Sequence, residues 1–275
     1  MSENDILSAQ PNTQEKNPEI EAAMKEMIDA GVFYGKKKSK THPRMKPFIL
    51  HNRNGIEIIN LYKTLETLER TAAFVKEKVP GGGMVLVVAT QPAFEDEVLA
   101  MAKRLDCPAV TRRWLGGTLT NFKVISKRME YYHKLKSDSE RNAFDRYTKK
   151  ERVRIEHEVK RLGEFFGTLE QLTRLPHMVL VIDPILHVAA VREARRLRIP
   201  VIGLSNIDND PETLDAAVIG NTKGKASVLW FLAHIEHAIK EARQKAPEVA
   251  PAAQLVANEA KLQPDSLKKE HVKAQ

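Results

Sequence analysis

One cysteine, Cys107, is all that the 275 residues contain, so no internal disulfide can form and no cysteine-based zinc cage can be assembled. Such usage fits a reducing, cytoplasmic setting. No apolar run approaches the roughly 18 to 20 residues that span a bilayer, which leaves no membrane partner to expect. The opening stretch, MSENDILSAQPNTQEKNPEI, has neither the basic charge nor the apolar core of a leader peptide. A G-x-S-x-G elbow for a serine nucleophile is missing as well, and Cys107, set before Pro108 beside a short apolar run, reads as a packing thiol.

What is present is positive charge and material for a core. Lys and Arg number 44 against 36 Asp and Glu, giving a net charge of +8 and a pI near 9.4, a balance that leans towards a polyanionic partner. The hydrophobic content of 42% suffices for one large domain or two small ones. Residues Glu19 to Ala30 place Ile20, Met24, Met27 and Ile28 on one face of a short helix that Gly31 ends. FILHNRNGIEII, from Phe48, flanks an Asn-Gly pair with apolar runs and predicts a hairpin. A helix follows from Lys63 to Val79, stopped by Pro80 and three glycines.

MVLVVAT from Met84, MVLVID from Met178 and IPVIGLS from Ile199 are apolar runs without polar alternation, the pattern of strands buried on both faces. Helical segments at Ala93 to Leu105, Ile185 to Leu197 and Lys223 to Glu241 can cover those faces. The fold class is therefore α/β, a doubly wound, mainly parallel sheet flanked by helices.

Residues 120–172 break the alternation. Their apolar positions step by three and four: Phe122, Ile125, Met129, Tyr132 and Leu135, then Ile155, Val159, Leu162, Phe166 and Leu169. Narrow stripes of this kind suit two helices packed on each other, an inserted antiparallel coiled-coil hairpin with Phe144 and Tyr147 near its tip. The chain divides accordingly into a disordered N-terminal arm (1–18), a globular domain in two pieces (19–119 and 173–242), the hairpin (120–172) and a flexible C-terminal tail (243–275).

TRRWLGGTLTNFKVISKR, from Thr111 to Arg128, sits where body meets hairpin. Arg112 and Arg113 can each fork onto phosphate oxygens. Trp114 offers a face either for stacking on a base or for packing beneath the loop. Gly116 and Gly117 permit close approach of a sugar-phosphate chain or, alternatively, form a turn. Thr118 or Thr120 can cap the following helix, whose N–H groups favour an anion, and Asn121, Lys123, Lys127 and Arg128 extend the polar and basic surface. A second cluster, GKKKSKTHPRMK, gathers Lys36, Lys37, Lys38, Lys40, Arg44 and Lys46 without one acid, and Pro43 bars a regular helix. It reads as a loop laid on phosphates, because uncompensated charge repels itself unless a polyanion is present.

An enzyme built on the same letters, acting on a sugar phosphate or nucleotide, is the alternative. GNTKGKAS from Gly220 imitates a phosphate-binding loop, but its glycines are one residue too close and Ala226 stands where a hydroxyl should hold magnesium. GGGMVLVV places its glycines before a strand rather than after it. Asp183, at a strand's C-terminal end, reads as a helix cap, and His234 and His237 as a pair without further ligands. No catalytic residue, metal or cofactor is expected.

RRWLGGTLTNF resembles the signature of the bacterial-type small-subunit ribosomal protein S-two family. HPRMKPFILHNRNGIEIINLYKT from His42, RLPHMVLVIDP from Arg174 and VREARRLRIPVIGLSN from Val191 agree with it, and the resemblance runs in order from Ile20 to Lys240. It implies a non-catalytic structural component of the small subunit, bound to small-subunit rRNA and neighbouring ribosomal proteins and docking ribosomal protein S-one in many bacteria. The chain departs from its family in two places. Histidines common near Phe33 and Lys36, and a Trp-Asn pair at Thr41 and His42, are absent, which puts any metal site built on them in doubt. Ser205-Asn206 and Ile219-Gly220-Asn221 also differ, leaving Asp208 and Asp210 as turn residues in preference to cation ligands.

Overall fold

The computed structural model describes residues 18–79, 83–141 and 143–245. Residues 1–17 of the expected arm, 246–275 of the expected tail and the Pro80 helix stop lie outside them. Helix α1 (Pro18–Asp29) opens on a proline, tolerated where the first N–H groups have no helical partner, and buries Met24, Met27 and Ile28. Gly31 leaves it with φ +65°.

Strands β1 (Tyr34–Lys37), β2 (Ile49–Arg53) and β3 (Ile56–Ile59) form a small antiparallel sheet in the order β1-β3-β2. The β2–β3 hairpin turns at Asn54 and Gly55, with φ of +49° and +82°, as the Asn-Gly pair requires. Strand β1 corrects the expectation of an irregular loop from Gly35 to Lys46. The free edge of β3 takes up Tyr34 to Lys37, and two short 3₁₀ turns, Lys38–Lys40 and Pro43–Phe48, follow. Gly35 is what permits that pairing, since a Cβ there would lie 2.5 Å from the Glu57 carbonyl oxygen.

Helix α2 (Leu61–Lys78), capped by the Asn60 side chain on the Tyr62 and Lys63 N–H groups, leads into the main sheet. Its strands are β4 (Val85–Val88), β5 (Ala109–Val110), β6 (Met178–Ile182), β7 (Val201–Ser205) and β8 (Ala216–Ile219), all parallel in the order β5-β4-β6-β7-β8. Helices α3 (Glu95–Arg104), α6 (Val188–Arg196) and α7 (Lys225–Lys245) connect or follow them. Successive residues of a strand face opposite sides, so each apolar run feeds two cores. Val85, Val87, Leu180, Ile182, Ile202 and Leu204 join α1, α2, α3 and α7 on one side. Leu86, Val88, Val179, Val181 and Val201 join α6 on the other.

The second core also receives the two helices of the strand-free region, α4 (Phe122–Glu140) and α5 (Lys149–Phe166), which pack on each other. Ile125, Met129, Tyr132, Phe166 and Leu169 are buried where the helices meet the body, whereas Leu135 and Ile155 are only half-buried. Close approach relies on Gly163, where a Cβ would lie 3.2 Å from the Tyr132 hydroxyl. Thr148 and Glu151 form a capping box at the start of α5, and the Phe144 and Tyr147 rings meet edge to face at 5.7 Å.

Candidate nucleic-acid interface

The stretch from Thr111 leaves the edge strand β5 and enters α4. Thr111 is buried and donates its hydroxyl to Glu95 Oε1 at 3.2 Å, and the same oxygen receives Arg112 Nε at 2.9 Å. Arg113 is exposed and, among the described residues, has no carboxylate partner. Beyond it the loop wraps around one side chain contributed by α6. The Glu193 carboxylate accepts the Trp114 indole N–H at 3.0 Å and the Gly117 N–H at 2.8 Å on one oxygen. Its other oxygen accepts the Leu119 N–H at 3.0 Å, with the Thr120 N–H and hydroxyl both at 3.2 Å. Burial alone would raise this carboxyl, but the indole and the Gly117, Thr120 and Leu119 N–H groups outweigh it and hold it below the ordinary carboxylate range.

This clamp changes several sequence expectations. The anion that the loop's donors attract is internal, so they are not free for a phosphate. Trp114 is half-buried against the second core and tied by its nitrogen, which is the packing alternative rather than an open stacking face. Thr118 is 1% exposed and donates its hydroxyl to the Leu115 carbonyl, leaving no surface for RNA. Neither it nor Thr120 caps α4; Asn121 holds that position, without a side-chain capping bond. The glycines separate as well. Gly117 has φ +87°, a conformation that disfavours any side chain, while a Cβ on Gly116 would meet nothing within 4 Å. Lys123, Lys127 and Arg128 stand exposed on α4, unpaired with any carboxylate among the described residues.

The second basic cluster meets acids that its own sequence lacks. The turn after β7 sends Asp208 to within 3.6 Å of Lys36, and Asp210 and Glu212 to 3.0 and 2.5 Å from Arg44. Asp210 also accepts the Glu212 N–H, and its pKa is lowered first by that bond and then by Arg44. Asp208 and Asp210 are thus turn and ion-pair residues, and no group of three potential metal ligands exists among the described residues. Lys37, Lys38, Lys40 and Lys46 remain exposed without carboxylate partners among the described residues. At the family's missing positions, Phe33 is buried and Thr41 donates to buried Glu57 at 2.6 Å.

The enzyme alternative has its natural location where the strand order reverses, at the C-terminal ends of β4 and β6. Protein groups occupy that crevice. His187, 3% exposed, accepts the Thr90 N–H on Nε2 at 3.2 Å, and Asp183 pairs with Lys223 at 3.2 Å and receives the Thr222 hydroxyl at 3.4 Å. Asp183 therefore anchors the turn before α7 instead of capping α6, whose N-cap position is His187. In the loop resembling a phosphate cradle, Asn221 Oδ1 already accepts the Lys223 and Gly224 N–H groups. Burial pushes the Cys107 thiol up to about 11, which makes it a poor nucleophile. His234 Nδ1 lies 2.9 Å from the Trp230 carbonyl oxygen, and His237 lies 3.7 Å from Glu241.

Glu193 is the residue that sequence reasoning missed. A lone carboxylate between Arg192 and Arg195-Arg196 is its only local signal, and that pattern does not reveal which loop it faces.

Comparison with known proteins identifies the family. The family model described as ribosomal protein S2 matches residues 27–242. The small ribosomal subunit protein uS2 of Thermus thermophilus, in each of two strains, is 39% identical over 237 residues, covering 86% of this chain and 93% of the relative. The protein of the same name from Deinococcus radiodurans is 37% identical over 221 residues, covering 80% and 84%. On a family match over most of its length and relatives at 37 to 39% identity, the chain belongs to the ribosomal protein S2 family, non-catalytic structural constituents of the small ribosomal subunit.

Proposed function

We propose that this protein holds small-subunit rRNA against the face formed by Arg112, Arg113 and the exposed cations of α4, within the cytoplasmic ribosome. The observation that carries the reading is the pairing of a fixed scaffold with free charge. Glu193 satisfies the loop from inside, and Arg113, Lys123, Lys127 and Arg128 face outward without acids among the described residues. Charge presented from a rigid loop loses little side-chain and backbone freedom on meeting a phosphate chain. Lys37, Lys38, Lys40 and Lys46 supply a second anchoring patch, while Lys36 and Arg44 are already paired with the acids of the β7–β8 turn.

The α4–α5 pair acts as a projecting coiled-coil arm, since its buried residues concentrate at the base and its tip offers exposed Tyr147. Helices of 19 and 18 residues reach about 27 to 29 Å, far enough to touch a neighbouring ribosomal protein, with ribosomal protein S-one as one candidate. The test is reconstitution: the protein should co-sediment with small subunits in moderate salt, and Arg113→Glu should abolish co-sedimentation while leaving the melting curve in place. Normal incorporation of Arg113→Glu would overturn the assignment of this face.

A further inference from the structure

Beside the Gly116 turn lies a cavity of about 300 Å³, open to solvent between the loop and α4. Leu115, Val124, Ile125 and Phe166 make its apolar walls, and Asn121 and Arg128 stand at its polar rim with the two glycines. We infer that this cavity receives one unpaired base of the RNA, a step that rests on the reading that RNA lies on this face.

Three observations favour a base over a phosphate. The loop's inward N–H groups are consumed by Glu193, and that carboxylate, held ionised, repels a second anion from the same position. The lining is about equally polar and apolar, and Leu115, Val124, Ile125 and Phe166 offer the flat face of a base a surface to pack on that a phosphate would leave unused. The rim carries the groups that read a base: Asn121, whose amide both donates and accepts and makes no capping bond, and Arg128, whose planar guanidinium can stack or donate. Gly116 gives the opening its width, because a Cβ there would stand in open space. Single-stranded bases splayed from a loop or bulge are the usual targets of such pockets, and basic flanks at Arg113, Lys123 and Lys127 hold the backbone on either side.

The experiment compares chemical footprints of small subunits reconstituted with wild type, Gly116→Leu and Val124→Phe. Neither substitution crowds a buried neighbour, since Gly116 faces open space and Val124 is 46% exposed, and melting curves check this. With wild type, at least one nucleotide should lose reactivity at its Watson–Crick edge while the adjacent backbone is shielded from hydroxyl radicals. Both variants should restore reactivity at that base, keep the backbone shielded, and weaken association on the order of tenfold, the worth of one stacked base. Backbone shielding without base protection by wild type, or equal base protection by both variants, overturns the base slot while the RNA-binding face survives. Absence of backbone shielding with wild type removes both readings together.

Discussion

The two basic stretches of this chain look alike as sequence and differ in how the fold disposes of their charge. In Gly35 to Lys46 the acids of the β7–β8 turn meet side chains, so Lys36 and Arg44 spend their charge at home. In Thr111 to Arg128 the main internal acid, Glu193, meets backbone N–H groups and one indole, so the loop is fixed and most cations stay free. Glu95 qualifies this by holding Arg112, which is nevertheless 64% exposed. A carboxylate that binds backbone organises a cationic surface without neutralising it. One that binds side chains does both.

The strongest way to break the comparison is to remove the backbone-binding acid. Glu193→Ala strands several half-buried donors at once, and each costs about 1 to 3 kcal/mol when unsatisfied, so a total loss of about 2 to 4 kcal/mol after water and relaxation is expected in thermal unfolding. Glu193→Gln should lose less, because its carbonyl oxygen still accepts. The pH dependence has a definite sign. A carboxyl whose folded pKa lies below its ordinary value near 4.5 contributes stability that is fully present above that value and is lost as pH falls through the folded pKa. Wild type and Glu193→Gln should therefore differ most near neutrality and converge in acid. A melting difference that grows below about pH 4 would contradict the clamp.

Next in size is the separation of the adjacent glycines. Gly117→Val forces a β-branched residue to φ +87° and brings its Cβ to 3.3 Å from Asn121 Cβ, so it should destabilise by about 1 to 3 kcal/mol. Gly116→Ala should leave melting nearly unchanged. Equal losses at both positions would mean that the turn depends on neither backbone conformation in particular.

How much of this was legible in the sequence follows a physical line. Periodicity depends on local residues, so β4, β6, β7, the Asn54-Gly55 hairpin and the apolar stripes of α4 and α5 were readable from spacing alone. Strands β5 and β8 were not. Ala109–Val110 is too short to show a pattern, and Ala216–Ile219 lies in a stretch rich in turn residues, so pairing with β4 and β7 defines them. Strand β1 was hidden because lysines disguise a strand that occupies a sheet edge. The arginines and lysines of the candidate face announced themselves, but their partners did not: Glu193 is 76 residues from Gly117, and Asp210 is 166 from Arg44. A stretch without acids in sequence is not a stretch without acids in space.

The comparison sharpens further in RNA binding measured against salt. Every cation that no longer meets a phosphate should lower the log-log slope by roughly 0.7 to 0.9. Replacing Lys123, Lys127 and Arg128 with Gln should flatten the slope by about two units, and replacing Lys37, Lys38, Lys40 and Lys46 by a similar or smaller amount. Adding Lys36→Gln to the latter set should change the slope little, because Asp208 already holds that ammonium. A full further step at Lys36 would show that RNA displaces Asp208.

The smallest effect, and the most discriminating, comes from releasing the cations that the first stretch keeps paired. Asp208→Asn, Asp210→Asn and Glu212→Gln together should move the melting curve only slightly, since the Arg44 pairs are exposed and screened and the half-buried Lys36–Asp208 contact is long at 3.6 Å. Their effect on RNA can take either of two forms. Removing negative charge from the surface strengthens binding at every salt concentration without bringing a new cation onto a phosphate, which raises the whole line. Freeing Lys36 and Arg44 to reach phosphates does bring new cations, and each steepens the line by roughly 0.7 to 0.9. Filter binding between low and moderate salt separates the two because slope reports counterions released, whereas height reports the total field. We expect a steeper line, by the amount that one or both of these cations would add. A parallel upward shift would mean that Lys36 and Arg44 face away from the RNA even when unpaired, and would confine the binding surface of the first stretch to Lys37, Lys38, Lys40 and Lys46.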